Sequence, residues 1–102
     1  MRKMYILIKD TIPSGLAITA ASHGSLSFYL KYKESLDVKD WLATSFKKVI
    51  CKVSLEEFEK VKEIEIDKSI ITESSFENEE TAIVFMPLEE MPKQFKYYKL
   101  WK

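Results

Sequence analysis

The sequence predicts an α/β fold, a three-layer α/β/α sandwich around a mixed, mostly parallel sheet of four strands. Three observations carry this prediction. Short apolar segments alternate with helical segments along the chain, in the order β-α-α-β-α-β-β. The 102 residues suffice for a single domain, 1–102, and are too few for two independent cores. Finally, 46% of the residues are hydrophobic, which excludes a disordered chain.

The first strand and the first helix are predicted from apolar spacing. Residues 4–8 are apolar on both alternating faces, as in a strand that is covered on both sides. A turn at 13–15 leads into a helix over 16–32 with two candidate faces at helical spacing. One face carries the residues Leu16, Ala20, His23, Leu26 and Leu30. The other face carries the smaller set Ala17, Ala21, Gly24 and Phe28. Small residues allow a helix to lie close to a sheet.

The middle of the chain is predicted to contain a short helix, a strand and a third helix. Asp37 can cap the short helix, since aspartate is a preferred residue at helix starts. A strand follows over Val49–Val53. Ser54 and Glu57 then match the capping box, in which each side chain satisfies a free backbone donor of the other residue. We expect the third helix to end near Glu63.

The last third of the chain is predicted to form two strands and a tail. The segments Ser69–Glu73 and Thr81–Met86 are rich in β-branched residues, and the polar turn between them favours a hairpin. Pro87 and Pro92 bracket a short helical turn. The aromatic tail 97–101 is compatible with a final edge strand, with stacking on bases, or with a dimer interface.

Residue counts exclude several classes of site. One histidine and one cysteine cannot supply a structural zinc site, and two glycines exclude the glycine-rich phosphate-binding loops. We therefore expect neither a metal nor a cofactor. Cys51 lies in the middle of a predicted strand, as an inert core residue would. The longest uncharged stretch, 11–30, is rich in Ser, Thr, Gly and Ala, so we expect a cytoplasmic protein without a membrane span.

The net charge is zero, but the charge is unevenly distributed. Segment 1–53 carries a net +5, segment 54–92 a net −9 and segment 93–102 a net +4. The two basic segments could form a patch for phosphate groups. Alternatively, the acidic run is the solvated face of a helix and the segment after it. We also expect a homodimer, because the tail carries four large apolar or aromatic residues, namely Tyr97, Tyr98, Leu100 and Trp101.

His23 is the candidate acid/base residue, because imidazole titrates near neutral pH. The alternative is a buried, hydrogen-bonded histidine on the apolar face that contains Leu26 and Leu30; burial there would keep the imidazole neutral. A Ser22–His23 dyad is implausible, since neighbours on a helix point roughly 100° apart.

The run Tyr5-Ile-Leu-Ile-Lys-Asp10, the glycine at 15 and the segment Ala20-Ala-Ser-His-Gly-Ser-Leu26 resemble the archaeal and eukaryotic type of peptidyl-tRNA hydrolase. The apolar run Thr81–Pro87 is similar to the last strand of that family. The resemblance covers the whole chain and implies the same β-α-α-β-α-β-β sandwich. It also implies hydrolysis of the ester bond between a peptide and the terminal ribose of tRNA.

The resemblance implies two groups of site residues. The catalytic group is His23, Asp10 and Glu73, with Glu73 taking the place of the family's aspartate if a gap of four residues is allowed. The substrate-binding group is Lys9, Ser14 and Gly15. At four positions where the family carries polar residues, this chain has other residues, namely Ser14, Leu16, Ala20 and Ser69.

Two functions therefore stay open at the level of the sequence. The first is a divergent peptidyl-tRNA hydrolase. The second is a non-catalytic binding or scaffold module with the same fold, acting as a dimer. In either case we expect only weak, non-specific binding of tRNA, because the lysines available for phosphates are scattered, at Lys31, Lys33, Lys47 and Lys48.

Overall fold

The structure, a computed structural model, describes all residues 1–102. Three helices and five strands follow one another along the chain: β1 (Lys3–Lys9), α1 (Ser14–Tyr32), α2 (Leu36–Ala43), β2 (Lys47–Val53), α3 (Leu55–Val61), β3 (Lys68–Glu73), β4 (Glu79–Phe85) and β5 (Lys99–Leu100). Two short 3-10 helices, Ser74–Phe76 and Lys93–Tyr97, lie before β4 and before β5. The protein is thus an α/β fold with a mixed sheet, as predicted.

The five strands form one sheet in the order β3-β4-β1-β2-β5. Only β1 and β2 are parallel, in a register from Lys3 opposite Lys47 to Lys9 opposite Val53. The other three pairings are antiparallel. The predicted sheet of four mostly parallel strands is therefore wrong in both respects. The tail returns to the sheet as a fifth strand that is too short to show any period in the sequence, and the β3–β4 hairpin imposes antiparallel pairing.

The apolar core is divided into two clusters by the sheet. Along β1, Met4, Ile6 and Ile8 belong to one cluster, which also contains buried residues of α1 and α2. Tyr5 and Leu7 belong to the other cluster, which contains buried residues of α3 and the 3-10 helix Lys93–Tyr97. Successive residues of a strand point to opposite faces, so the sheet carries apolar packing on both sides. We call these the α1 face and the α3 face.

Helix α1 packs on the sheet through its small residues. Ala17, Ala20, Gly24 and Phe28 are buried. A Cβ atom added to Gly24 would lie only 2.8 Å from Cγ2 of Val84, so glycine is needed for this close approach. Three of the four residues of the predicted small face are therefore buried, Ala21 is only partly buried, and Ala20 of the other face is buried with them. The larger side chains lie outside, with Leu26 61% and Leu30 57% exposed.

Ser35, and not the predicted Asp37, caps α2. The Ser35 hydroxyl accepts a hydrogen bond from the Asp37 amide at 3.2 Å. The Asp37 carboxylate instead binds the Arg2 guanidinium at 2.6 Å, and Asp40 binds the same side chain at 2.6 Å. The hydrogen bonds that Arg2 donates to these carboxylates raise its pKa, and the bond to Asp40 makes the largest contribution. The aspartate therefore ties α2 to the start of β1.

The predicted capping box of α3 is confirmed. The Glu57 amide donates to the Ser54 hydroxyl at 3.1 Å, and the Ser54 amide donates to the Glu57 carboxylate at 2.8 Å. The helix ends at Val61, two residues before the predicted end. The helical turn predicted between Pro87 and Pro92 is wrong, since the 3-10 helix begins only after Pro92. None of the helices is both long and apolar enough to cross a bilayer.

We expect Ser54→Ala to lower the free energy of unfolding by about 1 kcal/mol, because alanine lacks the hydroxyl that accepts the hydrogen bond of the Glu57 amide. The backbone amide at position 54 can still donate to the Glu57 carboxylate. Urea unfolding followed by circular dichroism measures the change. Ser14→Ala is the matched control, since Pro13 precedes α1 and no side chain caps that helix. An equal loss in both variants would contradict the role assigned to Ser54.

Candidate functional site

His23 is exposed on the surface of α1, and the alternative of a buried histidine is therefore wrong. Its neighbour Gly24 points at the sheet, and successive residues of an α-helix point roughly 100° apart. The imidazole is thus carried to the flank of the helix. The face of α1 that carries Leu26 and Leu30 points to solvent. The small size of Ala17 and Gly24 was the signal that identified the inner one.

Glu73, the last residue of β3, is the carboxylate that the structure brings near His23. It accepts hydrogen bonds from the Ser75 amide at 3.2 Å and from the Ser75 hydroxyl at 2.9 Å. These bonds lower the pKa of Glu73, with the amide bond the largest cause, and the positive charge of His23 lowers it further. No hydrogen bond joins the two side chains. Glu73 is therefore held in its charged form within electrostatic reach of the imidazole.

The hydroxyl groups beside His23 on α1 bond to their own helix. Thr19 donates to the Gly15 carbonyl at 3.2 Å, and Ser27 donates to the Gly24 carbonyl at 3.4 Å. Neither hydroxyl forms a hydrogen bond with the imidazole. A nucleophile activated by His23 would form such a bond. The arrangement therefore favours water, rather than a side chain, as the attacking group in any hydrolysis at His23.

Asp10 and Lys9 lie at the end of β1 and differ in their placement. Asp10 is exposed, and its amide donates to the Val53 carbonyl at 2.7 Å. The antiparallel pairings place the end of β3, with Glu73, at the same edge of the sheet. The Lys9 amine lies 5.0 Å from the centre of the Phe58 ring of α3. Lys9 is thus on the α3 face, and the sheet separates it from His23.

Ser14 and Gly15 form the exposed first turn of α1. A Cβ atom at Gly15 would meet nothing within 4 Å, so no packing contact requires glycine at this position. The first amide groups of a helix have no partner within the helix. The turn is therefore open to solvent at the same edge of the sheet as Asp10, and it carries no cation.

Other kinds of site receive no support from the geometry. His23, Glu73 and Asp10 line neither of the two apolar depressions beside α1. No three His, Cys, Asp or Glu side chains converge as metal ligands would. Cys51 is buried, and burial raises its pKa to about 11. Its thiol is therefore protonated at neutral pH and is a poor nucleophile.

The chain gives no match when it is compared with models of known protein families, and none when it is compared with curated proteins. The function is therefore argued from the exposed His23 and the charged Glu73, and from the surfaces around them.

Proposed function

We propose that the protein is a divergent peptidyl-tRNA hydrolase-like enzyme that cleaves the ester bond between a peptide and the terminal ribose of tRNA. The observation that carries the proposal is the exposed His23 within electrostatic reach of Glu73, on β3, against which α1 packs. An accessible imidazole can act as a general base, and a carboxylate within electrostatic reach stabilises the imidazolium ion that forms. The resemblance of the sequence supplies the substrate class.

In the proposed reaction, His23 removes a proton from a water molecule as the water oxygen attacks the ester carbonyl carbon. The negative charge of Glu73 stabilises the imidazolium ion that forms. The tetrahedral intermediate then collapses, its bond to the ribose oxygen breaks, and this oxygen takes the proton from His23. The products are a tRNA with a free terminal hydroxyl and a peptide carboxylic acid, which releases the second proton of the water to solvent. No redox partner or cofactor enters this balance.

The remaining expectations belong to the same proposal. The end of the sheet at which β1 finishes carries Asp10, Ser14 and Gly15. We propose that the open first turn of α1 contacts the substrate at this end. Lys9 can contact a phosphate only from the α3 face. The three-layer arrangement and the cytoplasmic location remain part of the proposal, and we expect weak binding of tRNA because the lysines available for phosphates are scattered along the chain.

A non-catalytic binding module is the second candidate function. The observation that favours it is that Ser14 and Gly15 offer no cation at the open first turn of α1, because ester hydrolysis also needs a group that stabilises the oxyanion. The expected homodimer belongs to this candidate. Tyr98 and Trp101 of the tail pack on the protein's own core clusters. Tyr97, which is 84% exposed, and Leu100 are thus left to form the contact.

We expect His23→Ala to reduce turnover of an N-acetylated aminoacyl-tRNA about 100-fold or more, since this is the lower range for loss of a general base. Because His23 is exposed, the free energy of unfolding should change by less than about 0.5 kcal/mol. Release of the acylated amino acid and a urea melt measure the two effects.

Ser22→Ala, a change at the neighbouring exposed position, is the matched control and should keep full turnover. Glu73→Gln should have a smaller effect than His23→Ala, because it removes only the charge that stabilises the imidazolium ion. Parental turnover no higher than the background rate, or full turnover in His23→Ala, would exclude the enzyme and leave the binding module.

A further inference from the structure

Helix α1 leaves two strands of the sheet uncovered on its own face. The helix packs over β1, β3 and β4. The register of β2 with β1 places Lys48, Ile50 and Lys52 on the α1 face, opposite Met4, Ile6 and Ile8. The Trp101 amide donates to the Ile50 carbonyl at 2.9 Å, and Trp101 packs against the same core cluster. The strip formed by β2 and β5 is thus covered at its start by Trp41 of α2, whose Nε1 donates to the Lys47 carbonyl at 2.7 Å. Beyond this contact the strip is partly open, since Ile50 and Lys52 are only half-buried.

Two apolar depressions border α1 on this side, one between α1 and β2 and the other between α1, α2 and the start of β2. One has a volume of about 240 Å³ and is lined by six apolar residues, including Ile18, Ile50 and Trp101. The other has a volume of about 340 Å³, and Leu26, Leu42 and Phe46 contribute to it. Ile18, Leu26, Leu42 and Phe46 are all exposed. We refer to the two depressions together as the β2 groove.

The charges at the β2 groove are all positive. The Lys48 amine lies 2.9 Å from the centre of the Phe46 ring and 5.3 Å from the centre of the Trp41 ring. The Lys52 amine lies 4.5 Å from the centre of the Trp101 ring. Neither lysine belongs to an ion pair, and no acidic residue lines either depression. Partial burial lowers the pKa of Lys48. The groove thus offers cations that no anion of this chain neutralises.

Phe46 lies at the rim of the β2 groove, and its backbone is strained. Its φ is 52°, in the left-handed region that glycine or asparagine adopts more readily. The ring is nevertheless more than half exposed and lies against Trp41, with 5.2 Å between ring centres. Local strain of this kind tends to persist where a surface has a function. Here it keeps an apolar side chain available to a partner.

We propose that the β2 groove binds an acidic amphipathic helix of a partner protein. Two adjacent strands are about 10 Å wide, which is about the diameter of one α-helix with its side chains. The seven residues of β2 extend for about 23 Å, the length of roughly 15 helical residues. The apolar stripe of such a helix covers Ile18, Ile50 and Leu42, and its carboxylates meet Lys48 and Lys52.

Nucleic acid fits this surface less well than an acidic helix does. Proteins that bind single-stranded nucleic acid use open aromatic faces, on which the bases stack. Here lysine amines lie over the rings of Trp101, Trp41 and Phe46, and much of the remaining lining is aliphatic. The apolar lining and the unpaired cations together match an amphipathic, negatively charged peptide. The proposal does not depend on catalysis at His23, which lies on the opposite flank of α1.

The test uses the protein's own fluorescence, because Trp41 and Trp101 are its two tryptophans and both line the groove. The probe is a synthetic 16-residue helix with leucines at helical spacing and glutamates on both sides. Titration should shift the tryptophan emission in a saturable way. A peptide with glutamine in place of glutamate should bind about tenfold more weakly, and added salt should weaken only the acidic peptide.

Two variants locate the binding site. Ile18→Ser combined with Leu42→Ser changes exposed groove residues and should weaken the acidic peptide at least tenfold while leaving the urea midpoint unchanged. Leu55→Ser is the matched control, since Leu55 is 57% exposed on α3, and it should bind normally. No binding of the acidic peptide, or equal binding of a lysine version, would overturn the proposal.

Three further outcomes identify a different occupant and would also overturn the proposal. The first is tighter binding of a single-stranded oligonucleotide than of the acidic peptide. The second is tighter binding of vesicles that contain anionic lipid. The third is self-association in sedimentation that the Ile18→Ser, Leu42→Ser variant abolishes, which would assign the groove to a second copy of this chain.

Discussion

Phe28→Ala is expected to lower the free energy of unfolding by about 3–5 kcal/mol, the usual cost of removing a buried phenylalanine side chain. Phe28 is fully buried in the cluster between α1 and the sheet, and its ring lies 4.5 Å from that of Tyr32. A loss of this size is a large share of the about 5–15 kcal/mol that stabilises a typical domain. Urea unfolding followed by fluorescence and by circular dichroism measures it.

Leu30→Ala is the matched control on the same helix. Leu30 is more than half exposed, so its truncation should change the free energy of unfolding by less than about 0.5 kcal/mol. The comparison tests which face of α1 contacts the sheet. A greater cost for Leu30 than for Phe28 would mean that the face of larger residues, with His23, is the packing face.

Gly24→Val is expected to destabilise the protein by about 2–3 kcal/mol, despite the better helix propensity of valine. The new Cβ would lie 2.8 Å from Cγ2 of Val84 and 3.4 Å from Cγ1 of Ile71. Val84 is fully buried on β4, so it has no room to move away. The helix must shift from the sheet or the side chains must leave their rotamers. Thermal unfolding of the variant measures the cost.

The protein's other glycine gives the opposite expectation. Gly15→Ala adds a methyl group in open space within the first turn of α1, so it should leave stability unchanged or raise it by up to about 1 kcal/mol. A similar loss in both glycine variants would show that helix propensity, rather than contact with Val84, controls the result.

The parts of the fold that local chemistry determines were predictable from the sequence. The small face of α1 follows from Ala17, Gly24 and their spacing, and the start of α3 follows from Ser54 and Glu57. Each of these signals lies within a few residues of the chain. The parts that were missed depend on distant residues. Arg2 takes both Asp37 and Asp40 as partners, and this removes Asp37 from the capping position that its type favours.

The candidate site was only partly predictable for the same reason. His23 stands out because imidazole titrates near neutral pH, but its exposure depends on which face of α1 meets the sheet. Glu73 was selected through the resemblance, whereas its lowered pKa arises from Ser75 and from the approach of α1 to β3. The β2 groove has no signal in the sequence, because it results from how α1 and α2 are placed relative to β2.

The irregular pairing of β3 with β4 affects how the protein behaves among other chains. β3 is an edge strand of six residues, and its register with β4 shifts between Ile71 and Thr72. The opposite edge, β5, has only two residues. A bulge bends an edge strand, so β3 is not a long, flat template for another strand. At the other edge, β5 pairs with only Cys51 and Lys52 of β2, and Lys47 and Lys48 at the start of β2 supply the charges that discourage strand addition there.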